Sequence, residues 1–150
     1  MSLFQKSTLT AMLDANIVLM FFPWFGGAKG IQEIRGTLVL FHQVAILCIL
    51  LVLAGIWLKQ TEKWRNPMIL TGTAGILGVE IYTFLTWYTE TISPEFDLLR
   101  CFRMTYPVCY VGMMLTVAML TTAVLFGYCR YKKEENAEDR ETCTVRKQLP

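Results

Sequence analysis

Apolar residues fall along this chain in blocks rather than in amphipathic stripes. Leu9 to Phe25 gives 17 residues with one charge, Asp14. Thr37 to Leu58 gives 22 with none if His42 is neutral. Pro67 to Tyr88 gives 22 with one, Glu80, and Pro107 to Tyr128 gives 22 with none. A helix crossing a bilayer needs about 20 predominantly apolar residues. The pattern therefore predicts an all-α integral membrane protein, a four-transmembrane-helix bundle with spans near 9–25, 37–58, 67–88 and 107–128. Residues 1–128 form one membrane domain, and 129–150 a polar cytoplasmic tail expected to extend the last helix and fray.

A soluble core would need polar sequence to cover these blocks. Of the 150 residues 54% are hydrophobic and only 17% charged, against roughly 25% charged in an ordinary soluble domain. The bilayer is thus the expected partner. The net charge of +2, with no basic patch outside the membrane flanks, gives no reason to expect nucleic acid.

Lys and Arg accumulate on the cytoplasmic side of spans. One set of flanks carries Lys6, Lys59, Lys63, Arg65, Arg130, Lys132 and Lys133. The other carries Lys29, Arg35, Arg100 and Arg103. The bias places both termini in the cytoplasm. Trp24, Trp87 and Tyr88 are expected in the outer aromatic belt, Trp57 and Tyr128 in the inner one. Lys6, the apolar stretch after it and Gly26, Gly27 and Ala28 loosely follow a cleavable signal peptide. Asp14 and the bulky "FPWF" before the small residues argue against cleavage.

The two outer loops differ. Gly26 to Gly36 is short, bounded by glycine and too small to fold alone. The second, Thr89 to Tyr106, contains "SPEFDLLRCFRMTYP". Ser93 suits an N-cap and Pro94 the first helical position. Phe96, Leu99 and Phe102 follow at three-residue spacing, which predicts a short helix lying in the outer interface.

The polar residues inside the spans carry the candidate chemistry. A carboxylate near the bilayer centre costs at least ~2.5 kcal/mol on insertion scales. It persists by facing protein, by pairing or by staying protonated. With a rise of about 1.5 Å per residue, Glu80 lies about 4 Å outside the midplane and His42 about 8 Å outside it, with Gln43 one residue deeper. Asp14 falls about 4 Å to the cytoplasmic side, and Asn16 near the midplane. Matched depth makes His42 and Gln43 the expected partners of Glu80.

The third span carries a second signal. Gly72, Gly75 and Gly78 recur every three residues, beside Thr71 and Ala74. Small residues let helix backbones approach closely, and this helix-packing face is centred roughly opposite Glu80. Span three should therefore sit between neighbours in the bundle or meet a second chain.

Other chemistry is sparse. One histidine permits no paired-histidine zinc site, and no metal ligand set, cofactor motif or phosphate loop is present. No Cys-x-x-C occurs. Cys101 and Cys109 alone could meet in an oxidising compartment, as a candidate disulfide. Cys129 lies where palmitoylation takes place in a eukaryotic host. No Asn-x-Ser/Thr acceptor exists. With no catalytic constellation, the expected role is a non-enzymatic accessory or assembly subunit, with a protein partner or a second copy held through span three. The alternative is a small proton- or cation-coupled transporter or channel protomer using Glu80, with His42 and Asp14.

Overall fold

The computed structural model describes residues 3–26, 33–58, 62–92 and 97–148. The chain is mostly helical. The order is α1 (Leu3–Leu19), β1 (Pro23–Phe25), β2 (Ile34–Arg35), α2 (Thr37–Leu40), α3 (Gln43–Trp57), α4 (Glu62–Thr91), α5 (Leu98–Arg103) and α6 (Pro107–Gln148). Helix α4 is central. It packs most extensively on α3 and, along another face, on α6; α1 lies on α6 and touches α3 more lightly.

Among the described residues, two helices are long and apolar enough to cross a membrane: Trp64–Thr89, of mean hydropathy 1.5, and Pro107–Cys129, of mean hydropathy 2.0. They correspond to the third and fourth expected spans. The first two depart from expectation. α1 starts earlier, at Leu3, and ends at Leu19 rather than Phe25. Pro23 has no N–H to continue a helix, and the residues after it form a strand instead. The second expected span is broken at Phe41 and His42, so α3 is an apolar helix of 15 residues.

Pro67, read as the start of span three, lies inside α4. The preceding turn forms without its N–H. At the other end of the chain, the tail continues α6 as helix to Gln148.

The helix contacts follow from residue size. Gly72 faces α3: a Cβ there would lie 2.8 Å from the Cys48 carbonyl oxygen and 2.7 Å from Val52 Cγ2. A Cβ on Gly75 would collide with Cys48 Sγ. From the other side, a Cβ on Gly55 would lie 2.7 Å from Ile69 Cγ1. Gly78 departs from this face and opens onto empty space. One turn round α4, Ile76, Val79, Glu80, Thr83, Phe84, Trp87 and Tyr88 form a buried stripe at helical spacing. The ridge and the Glu80 face thus both meet protein within one chain.

The outer loops build a small sheet that the helical reading did not foresee. β1 pairs antiparallel with β2 on one edge. On its other edge the Gly26 N–H donates to the Met104 carbonyl (3.0 Å) and the Tyr106 N–H to the Trp24 carbonyl (2.9 Å). Gly26 ends β1 at φ 118°, a region glycine enters without strain. The Tyr106 hydroxyl donates to Glu33 (3.1 Å), a bond that also holds the Tyr106 phenol above its usual range.

Aromatic rings fill the space under this cap. Trp24, Trp87 and Tyr88 are buried, which corrects their assignment to an exposed outer belt. Phe25 stacks on Trp87 at 4.9 Å, and the Trp24 indole N–H donates to the Leu19 carbonyl (2.9 Å) at the end of α1. Trp57 and Tyr128 are exposed.

Helix α5 is capped by Asp97 rather than Ser93. Its carboxylate accepts from the Leu99 and Arg100 N–H groups at 3.1 and 3.2 Å. Asp97 lies nearer the helix start, so it satisfies the orphan donors directly. Ser93, Pro94 and Phe96 lie outside the described residues. Leu99 and Phe102 are exposed, and the inward residue is Cys101.

Candidate functional site: a sealed polar clip

Glu80 sits on the buried stripe of α4 with no solvent-exposed surface. Asn16 of α1 and Thr116 of α6 meet it from two sides. The Asn16 Nδ2 donates to Glu80 Oε1 at 3.0 Å, and the Thr116 hydroxyl donates to the same oxygen at 2.9 Å. The Asn16 amide also donates to Thr116 Oγ1, closing a triangle. All three side chains are at most 1% exposed.

Position along each helix makes the triangle. Gly112 lies one turn before Thr116 on α6. A Cβ there would stand 3.1 Å from Trp24 Cζ2 and 3.5 Å from Asn16 Oδ1. Glycine therefore lets the indole close over the cluster and α1 approach α6. Two acceptors in the cluster, Glu80 Oε2 and Asn16 Oδ1, are buried with no hydrogen-bond partner among the described residues.

The expected partners of Glu80 lie elsewhere. His42 is half-buried beside Tyr82, with 6.4 Å between ring centroids. Gln43 and Asp14 are exposed. Neither His42 nor Gln43 bonds to Glu80. Equal depth does not ensure a shared face: Gln43 opens α3 on its outward side, while Glu80 turns away from α3 toward α1 and α6. Of the expected polar set Glu80, His42, Gln43 and Asp14, no two are brought into hydrogen bonding.

The sequence did contain a signal for the true partners. Asn16 falls near the expected midplane. Thr116, nine residues into span four, lies about 2 Å outside it by the same rise per residue, closer in depth to Glu80 than His42 is. A threonine in a span is ordinary, since its hydroxyl can bond back to its own helix. The Gly112 carbonyl, 3.3 Å away, is the alternative acceptor for the single Thr116 hydroxyl proton, and nothing local marks the role of Thr116 toward Glu80.

Cys101 and Cys109 are both buried and both free thiols, so the candidate disulfide is not formed. Burial raises the Cys101 thiol above its usual range, and the nearby Asp97 carboxylate adds to this. Among the described residues no group of three or more His, Cys, Asp or Glu could hold a metal ion.

Chemically, the clip joins three helices through neutral donors on one carboxyl oxygen. No family model, curated protein or solved structure matches this chain.

Proposed function

We propose that this is an integral membrane protein with four membrane-embedded helices and both termini in the cytoplasm, acting as a non-enzymatic accessory or assembly subunit. One observation carries the reading. The in-span carboxyl is sealed and tied to Asn16 and Thr116, as a fastener between helices would be. A carboxyl used in transport needs access from at least one side.

The surface supports membrane embedding. Leu47 on α3 and Met114 on α6 are 66% and 73% exposed, and Leu50, Val117, Val124 and Leu125 are also outward. A bilayer would cover these outward apolar side chains. Trp57, Trp64, Tyr128 and Tyr131 are exposed, and Lys6 Nζ lies 5.9 Å from the Trp57 ring centroid. Cationic and aromatic residues together suit the cytoplasmic interface.

The partner face on α4 is the stripe that α3 leaves open. Thr71, Ala74 and Gly78 are exposed, and they are small enough for close helix approach. Affinity purification from native membranes in mild detergent tests this. A partner retained by the wild type and lost from Gly78→Leu, with unchanged thermal stability, is the expected result. Equal retention by Gly78→Leu sinks the assignment of that face.

A second reading is a small proton- or cation-coupled transporter or channel protomer using Glu80. The unpaired acceptors Glu80 Oε2 and Asn16 Oδ1 favour it, because buried oxygens without donors suit a proton or a cation. Glu80→Gln separates the two readings, since glutamine keeps the shape and cannot titrate. A fastener tolerates the change; a transporter loses flux with its fold intact.

A further inference from the structure

The expected second span breaks where neither proline nor glycine stands. After the single turn of α2, Phe41 and His42 leave the helix before α3 begins. His42 is extended there, at φ −67° and ψ 128°, and its side chain makes no capping bond. Its Nδ1 is buried without a hydrogen-bond partner among the described residues.

The break opens a shallow groove of about 470 Å³, lined by Ile34, Arg35, Thr37, Leu38, Phe41 and His42. Its chemistry has two sides. Arg35 is exposed and has no acidic partner among the described residues. With the His42 ring and the Thr37 hydroxyl it makes a polar, cationic rim. Ile34, Leu38 and Phe41 make apolar walls, and Leu38 and Phe41 face outward beside the apolar surface of α3.

We propose that this groove binds one acidic glycerophospholipid of the outer leaflet. Its phosphate sits on the Arg35 guanidinium and the His42 imidazole, and its acyl chains run along Leu38 and Phe41. Charge complementarity selects the head: an arginine fork matches phosphate oxygens. The walls select a lipid over a soluble anion, because a free phosphate gains nothing from Leu38 or Phe41. The location fits, because Arg35 stands two residues before the expected second span, on its outer flank, where a guanidinium reaches the headgroups. The proposal rests on the membrane reading above.

The test is reconstitution into phosphatidylcholine nanodiscs doped with phosphatidylglycerol, followed by native mass spectrometry of the detergent-released protein. Wild type should retain one phosphatidylglycerol. Arg35→Gln should lower that retention by about tenfold or more, the loss expected for a charge-assisted contact. Arg103→Gln, which removes an exposed outer cation outside the groove, should match wild type. Excess inorganic phosphate should not displace the lipid. Retention unchanged in Arg35→Gln, or lost equally in Arg103→Gln, overturns the groove assignment, and displacement by inorganic phosphate overturns the lipid in favour of a free anion. A wild type that fails to enter nanodiscs overturns the membrane reading itself, and is recognised by protein left in the lipid-free fraction.

Discussion

Gly72→Ala and Gly78→Ala make a matched pair on one helix. Each replaces glycine by alanine inside α4, and each should gain about 0.8–1.0 kcal/mol from helix propensity. That gain cancels in the comparison, leaving only the surroundings. At Gly78 the new methyl meets open space. At Gly72 it would stand 2.8 Å from the Cys48 carbonyl oxygen, 2.7 Å from Val52 Cγ2 and 3.2 Å from the Val52 nitrogen. Ordinary carbon contacts are about 3.5–4.0 Å. Two of the three obstacles are backbone atoms of α3, so no rotamer change relieves them. The helices must move apart by several tenths of an ångström along their most extensive contact. Forcing a methyl into a packed site costs about 1–3 kcal/mol. Gly78→Ala should therefore be as stable as wild type or more so, and Gly72→Ala about 1–3 kcal/mol less stable than Gly78→Ala. Reversible denaturation in mixed detergent micelles, read by circular dichroism, gives the difference. Equal stability of the two variants would falsify the assignment of the ridge to α3.

Other expectations follow from the same contacts. Gly75→Ala should destabilise through Cys48 Sγ, and adding Cys48→Ala should restore most of the loss, because a Cβ on Gly75 lies an ordinary 3.5 Å from Cys48 Cβ; a denaturation double-mutant cycle with no coupling refutes this. Glu80→Gln should keep or raise stability, since the amide oxygen accepts both existing bonds at the Oε1 position and the change removes the cost of burying a carboxylate charge; a fall of more than about 1 kcal/mol, the usual net worth of a hydrogen bond, argues against the fastener. Thr116→Val keeps the shape but removes a donor from a buried carboxyl oxygen, so it should cost about 1–3 kcal/mol in the same unfolding assay, and a neutral result counts against the triangle. Asp97→Ala should cost about 1 kcal/mol through loss of the α5 cap, with faster amide exchange at Leu99 and Arg100; unchanged exchange there removes the cap's role.

What could be read from the sequence depended on how far each cause lies along the chain. The third and fourth apolar blocks became helices because length and hydropathy are properties of the segment itself. The direction of Gly72 and Gly75 relative to Glu80 follows from 3.6 residues per turn, whereas Gly78, expected on the same face, opens onto empty space. The end of α1 was not. Pro23 marks a stop, but β1 exists because residues 34–35 and 104–106 supply hydrogen-bond partners on its two edges. Those partners are distant in sequence. Trp24, Trp87 and Tyr88 failed for a related reason: an aromatic residue at a helix end suits an interface belt or a capped core equally well, and only the sheet above decides. The break at His42 carries no glycine or proline, so local propensity gives no warning of it.

Helix α4 leaves few places where an activity could reside. Gly72 and Gly75 face α3, and the Glu80 carboxyl is occupied by Asn16 and Thr116 under Trp24. A residue committed to holding neighbours cannot also open to a passing ion without losing those bonds, and here the loss would free helices on both sides of the carboxyl. The clip therefore argues for a rigid centre, and on the proposed assembly role a partner would meet the periphery. Two peripheral features remain uncommitted: the small, outward stripe of Thr71, Ala74 and Gly78, and the outer end where β1 ties both loops together. The Tyr106 to Glu33 bond and the Trp24 and Gly26 backbone pairs fix those loops relative to each other across the bundle. Backbone pairing of this kind holds the paired residues of the two loops in one arrangement.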